Sequence, residues 1–154
     1  KTAAMDALRN PDEQEGEQIT EDAVDAVFAA TQGYAYFLQE WGKQCWDVAE
    51  SSPISVEDVA VAEAAALSHL DDSFFRVRLD RLTPSEKRYV RAMADLGPGP
   101  QRSGDVAQAM GVKVTTIAPT RSSLIAKGMI YSPGHGDTAF TVPMFDAYIR
   151  RTAL

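Results

Sequence analysis

Apolar residues recur every three or four positions through most of residues 20–127, then alternate with polar ones in the stretches 129–132 and 138–143. The chain therefore reads as a run of amphipathic helices closed by a small β-hairpin. The first clear helix opens at Thr20, a capping residue followed by acidic Glu21 and Asp22, and carries Val24, Val27, Phe28 and Thr31 on its apolar face. Gly33 ends it. From Tyr34 a longer helix aligns Tyr34, Phe37, Leu38, Trp41, Cys45 and Val48, an aromatic stripe whose helical spacing makes it core rather than a ligand pocket. Ser51, Ser52 and Pro53 break that helix, and Ser55 with Asp58 opens another through Val56, Val59, Ala66, Leu67 and Leu70. Its many alanines permit close helix packing. Residues 3–9 read as the end of a helix that starts upstream, and NPDEQEGEQ as an acidic connector.

The second half begins with TPSEKRYVRAMADLG, in which Thr83 caps, Pro84 takes the first turn and Glu86 completes a capping box. A short helix follows in SGDVAQAMG, capped by Ser103 and stopped at Gly111. A longer one follows in VTTIAPTRSSLIAKG, stopped at Gly128, with Pro119 expected in its first turn. These three helices joined by tight turns, then MIYS, a PGHGD turn and TAFTVP, predict a winged helix-turn-helix with a two-stranded β-hairpin wing. MFDAYIRRTAL adds a final helix that packs Phe145, Tyr148 and Ile149 and leaves Arg150 and Arg151 exposed. The predicted fold is mainly α: a small helical bundle over 1–72, a connecting segment over 73–82, and the winged helix-turn-helix with its C-terminal helix over 83–154. Phe74, Phe75, Val77 and Leu79 of the connecting segment are expected to dock one half on the other.

With 154 residues, 45% of them hydrophobic and 24% charged, the composition is that of a globular domain or two small ones. No apolar run approaches the roughly 18–20 residues that span a bilayer, and no basic-then-apolar leader opens the chain. The expectation is a soluble, cytoplasmic piece of a longer protein with no membrane partner. A single cysteine, Cys45, cannot form an internal disulfide, and with only His69 and His135 it gives no zinc-binding spacing. Cys45 and His69 lie on different predicted helices, and a cysteine beside Trp41 on an apolar face is core, so no catalytic residue is expected.

Charge is unevenly distributed along the chain. The net charge is −7, yet residues 1–80 hold 17 acidic and 5 basic side chains, while residues 81–154 hold 5 acidic and 10 basic. An acidic helical half in front of a basic winged helix suggests two parts with different partners. In a helix-turn-helix the third helix lies in the major groove, with its exposed face at the base edges and nearby cations on phosphates. Here Ile117, Leu124 and Ile125 are assigned to the buried face, and Lys113, Thr115, Thr116, Ser122 and Ser123 to the exposed one. Hydroxyls make only adaptable hydrogen bonds, so this set reads bases poorly. Arg102, Lys113 and Lys127 form a candidate phosphate-facing rim. Arg121 is assigned a stem at the core edge with its guanidinium toward solvent, a structural role that competes with phosphate contact. His135, at the tip of the wing between Gly134 and Gly136, either reaches a groove or phosphate or is simply tolerated in the turn.

Two segments, ATQGYAYFLQEWGKQCW and LIAKGMIYSPGHGDTAFTVPMFDAYIRR, carry a resemblance to the C-terminal part of AAA+ ATPases of the Orc1/Cdc6-like, archaeal-ATPase-like branch. The resemblance covers nearly the whole chain and implies that the first half is the helical lid and the second the appended winged helix. It implies an upstream ATPase core that binds ATP and Mg, and oligomers, if any, formed through that parent protein. This chain has neither a phosphate-binding G-x-x-x-x-G-K-[ST] loop nor a strand ending in paired acids, so the fragment itself is expected to hold no cofactor and to be no enzyme. Ala35 stands where relatives usually place Pro, and Tyr36 where many lids present an Arg to the γ-phosphate. The implied lid would thus follow the nucleotide without a charged sensor, and Trp46, outside the stripe, would face the missing core. The expected function is binding, with duplex DNA contacted mainly through its backbone by Arg102, Lys113, Thr115, Thr116, Arg121, Ser122, Lys127 and His135. The alternatives are a protein or intramolecular docking module of the ATPase and a stand-alone winged-helix transcriptional regulator.

Overall fold

The computed structural model describes residues 3, 6, 8 and 18–152, and the chain divides into two compact units, Lys1–Ser73 and Phe74–Leu154. In the first unit Ala3, Asp6 and Leu8 are helical and Leu8 is buried. The rest of residues 1–17, and with it nearly all of the acidic connector reading, lies outside the described residues.

Helix α1 (Glu21–Thr31) is capped by Thr20, whose hydroxyl accepts from the Ala23 N–H at 3.3 Å. Its buried line is Ala23, Val24, Val27 and Thr31, and Phe28 is only half-buried. The helix ends in two successive left-handed residues, Gln32 and Gly33, and a Cβ at Gly33 would lie 2.8 Å from the Phe28 ring. Both the turn and the ring thus require glycine there. Helix α2 (Ala35–Val48) buries Phe37, Leu38, Trp41 and Cys45 of the expected stripe, whereas Tyr34 is the residue before the helix and, like Val48, only half-buried. It also buries Glu40, whose carboxylate accepts from Gln44 Nε2 at 2.8 Å and lies 3.0 Å from His69 Nδ1 on the next helix. Helix α3 (Val56–Leu70) starts in a reciprocal capping box between Ser55 and Asp58, and buries Val59, Ala62, Ala66 and Leu70. The Ser55 N–H and hydroxyl both donate to Asp58, which holds its carboxyl below the usual carboxylate range. Ile54, fully buried, ties the start of α1 to the α2–α3 loop by accepting from the Thr20 N–H and donating to the Gln18 carbonyl.

A π-helical turn, Asp71–Phe75, and a short helix, α4 (Arg76–Asp80), occupy the segment read as a connector. Phe74, Phe75 and Leu79 are buried there, whereas Val77 is half exposed. Phe75 stacks on Phe145 and Tyr148, with ring centroids 5.8 and 5.2 Å away, so within its own unit it is a core residue.

The second unit continues with α5 (Pro84–Asp95), β1 (Gln101–Arg102), α6 (Ser103–Ala109), α7 (Val114–Ala126), β2 (Ile130–Tyr131), β3 (Asp137–Phe140) and α8 (Phe145–Arg151). This is the winged helix-turn-helix order. The hairpin pairs Ile130 with Phe140 and Tyr131 with Ala139, and β1 joins its other edge by pairing Gln101 with Thr138 and Arg102 with Asp137. The sheet is thus three-stranded and antiparallel in the order β1-β3-β2. The core gathers Tyr89, Val90 and Met93 of α5, Ile117 and Leu124 of α7, Ile130 of β2, and Phe145 and Ile149 of α8. Helix α8 is pinned to the far end of α5, since Arg150 Nη1 donates to the Ala94 carbonyl at 2.7 Å and Arg91 Nη1 to the Thr152 carbonyl at 3.2 Å. Arg150 thus brings a cation to the C-terminus of α5.

Candidate binding surface of the winged helix

Position in α7 decides which side chains can reach a partner. Ile117 and Leu124, two turns apart, define the buried line. Ile125, expected in the core, lies about 100° further round the helix and is 36% exposed. Pro119 is also not in the first turn. It is the sixth helical residue, so its ring removes the N–H that would donate to the Thr115 carbonyl. Ser103 is the first residue of α6 rather than its cap, and its N–H donates to Gly136 of the wing turn at 2.8 Å. The outward face of α7 presents Thr115, Ala118, Pro119 and Ser122, all exposed and none charged.

The proposed phosphate contacts divide into two groups. Arg121 and Lys127 are engaged within the domain. Arg121 Nη2 donates to the Asp137 carbonyl at 3.0 Å and its Nε reaches Thr138 Oγ1 at 3.4 Å, which fastens α7 to β3. Lys127 Nζ lies 2.7 Å from Glu86 Oε2 and 3.2 Å from the Arg81 carbonyl, so it clamps the end of α7 to the start of α5. Ser123 joins that clamp by donating to Glu86 Oε1 at 2.7 Å, and Thr83 donates its N–H to Glu86 Oε2 at 2.7 Å. Burial pushes the Glu86 carboxyl up, but the hydrogen bonds from Lys127, Ser123 and Thr83 and the Lys127 charge outweigh it and bring the pKa down to about 2. Arg102, Lys113, Thr115, Thr116, Ser122 and His135 remain exposed. They occupy different places: Arg102 on the edge strand β1, Lys113 at the start of α7, and His135 at the wing tip.

Two grooves flank α7. On the wing side, Val114, Ala118 and Arg121 face Ser132, His135 and Ser103. On the other side, α5 and the α6–α7 turn bound a larger groove of about 810 Å³, with Ala92, Met110, Val112 and Ile117 as apolar lining, Thr116 and Thr120 on its α7 wall, and Lys87 and Arg88 on its α5 wall. Lys87 and Arg88 were not singled out in the sequence, where KR inside a helix looks like any solvated pair. The clamp around Glu86 was half legible: the capping box is local, but its burial under Ser123 and Lys127 comes from a distant helix.

Among the described residues no group of three or more His, Cys, Asp and Glu could hold a metal ion, and no helix is long and apolar enough to cross a membrane. Fold and surface together define a winged helix-turn-helix domain that follows a separate helical bundle. Residues 72–149 match the family model described as "Domain of unknown function (DUF8462)", and the chain belongs to that family. No curated protein is significantly similar to it.

Proposed function

We propose that the winged unit is a non-catalytic protein-docking module, the output part of a larger, nucleotide-driven AAA+ type protein whose lid is the first unit. One observation carries the docking reading over duplex DNA binding. Arg121 and Lys127, the cations expected to reach phosphates from α7, are engaged by Asp137, Thr138 and Glu86 instead, and the outward face of α7 bears no charge. A helix seated in a major groove draws much of its affinity from phosphate neutralisation, so an uncharged face flanked by valines suits a protein better. Val112, Val114 and Ile125 add exposed apolar surface around that helix. The lid assignment rests on the resemblance of residues 30–46 alone.

A photoreactive amino acid in place of Ser122 tests the docking reading in cells that make the full protein. Discrete protein adducts are the expected outcome. Adducts to nucleic acid, together with steeply salt-dependent binding of a duplex by the purified chain, would replace docking by the DNA reading.

A further inference from the structure

The groove between α5 and the α6–α7 turn combines two chemistries that one ligand must satisfy together. Its lining is apolar, with Ile117 and Ala92 at the edge of the core, Met110 half-buried and Val112 40% exposed. Its α5 wall is cationic. Arg91 and Asp95 neutralise each other there, with Arg91 Nε 2.9 and 3.0 Å from the two carboxylate oxygens. Asp95 is the only acid on the lining, which leaves Lys87 and Arg88 with no carboxylate at ion-pair distance among the described residues. They are consecutive in α5, on the same groove that Thr116 and Thr120 line from α7. A nucleic acid backbone would meet the two cations and leave the valine and methionine surface uncovered. An anion on an apolar scaffold meets both.

We propose that this groove seats an acidic amphipathic helix of a partner protein, its apolar side chains over Met110, Val112 and Ile117 and its carboxylates beside Lys87 and Arg88. The proposal rests on the docking reading above and adds the site and the partner's chemistry. Helix-in-groove recognition places apolar anchors three or four residues apart, and the charged rim sets orientation and the rate of encounter. The same surface rejects a basic helix by like-charge repulsion, which makes it selective as well as attractive.

The test is fluorescence anisotropy with the full chain and a synthetic helical peptide carrying Leu at every third or fourth position and Glu beside them. Saturable binding that weakens with salt is expected, with no binding of the same peptide carrying Lys for Glu. The Lys87→Glu/Arg88→Glu double variant should weaken binding by about tenfold or more, and Val112→Ser, which removes apolar surface without adding charge, by a few-fold. Lys87 is half-buried, and Arg88 and Val112 are exposed, so a thermal melt should find these variants folded. Absence of saturable binding, equal binding of the basic peptide, or indifference to both variants overturns the groove assignment. So does displacement of the peptide by a duplex whose own binding depends on Lys87 and Arg88 but not on Val112. If Ser122 still gives protein adducts while the peptide fails to bind, the groove falls and the docking reading stands; nucleic acid adducts at Ser122 remove both.

Discussion

Among the described acids of the first unit, Glu21, Asp22, Asp47, Glu50, Glu57 and Glu63 are exposed, Asp58 and Asp71 are half-buried, and Glu40 alone is fully taken into the packing, between Gln44 and His69. The second unit treats its cations differently. Arg91, Arg121, Lys127 and Arg150 each meet a carboxylate or backbone carbonyl of the same unit. The net charge of a region is therefore not the charge it offers a partner. Residues 81–154 look strongly basic as a sequence, yet much of that charge fastens helices α5, α7 and α8 and strand β3 to one another. What remains for a partner is a smaller set that includes exposed Arg81 ahead of α5, Lys87 and Arg88 beside an apolar groove, and Lys113, Arg102 and His135 at three separate places, the start of α7, the edge strand β1 and the wing tip.

If the first unit is held by apolar burial and not by charge, its largest sensitivity is Trp41, fully buried with no hydrogen-bond acceptor for its Nε1 among the described residues. Trp41→Ala should cost roughly 3–5 kcal/mol in denaturant unfolding, and added salt should change that cost little. A cost below about 1 kcal/mol would mean that apolar burial around Trp41 does not hold the first unit.

The second unit should show its charge in stability. Glu86 has a folded pKa of about 2 against an ordinary 4.5, so the stabilisation it brings is complete above about pH 4.5 and is lost as pH falls through that value toward 2. Allowing for the partly open Lys127 side of the pair, the loss should be on the order of 1–2 kcal/mol. Chemical unfolding followed between pH 6 and 2 would detect it, Glu86→Gln should flatten the slope, and Lys127→Ala should destabilise at neutral pH by leaving a buried carboxylate without its cation. An unchanged slope in Glu86→Gln would mean that the clamp contributes nothing.

Arg102→Ala and Lys113→Ala, both at exposed positions, should alter stability by less than about 0.5 kcal/mol in the same unfolding assay. A larger loss would show that even these cations are structural.

Much of the fold was legible because its signals are local. Thr83 with Glu86, Ser55 with Asp58, and Gly128 after α7 each fix a helix end through groups within a few residues, and the sequence placed all three. The candidate surface was less legible. Ser122, Thr115 and Lys113 stand exposed as expected, but the engagement of Lys127 depends on α5, far back in the chain, and that of Arg121 on β3. Strand β1 is only two residues long, and nothing in Gln101–Arg102 marks it as a strand until β3 lies alongside to accept and donate its hydrogen bonds.

By itself, then, the sequence determined where helices start and stop, which stripes are apolar, and that a hairpin follows the third helix, because periodicity and capping act within a few residues. Only the tertiary structure decided that Glu86 would be buried and paired, that Ile125 would face outward, and that Lys87 and Arg88 would border an apolar groove. Those outcomes depend on which side chain a distant element brings within about 3 Å, and a carboxylate or cation carries no mark in the sequence of whether its partner will be water or another helix.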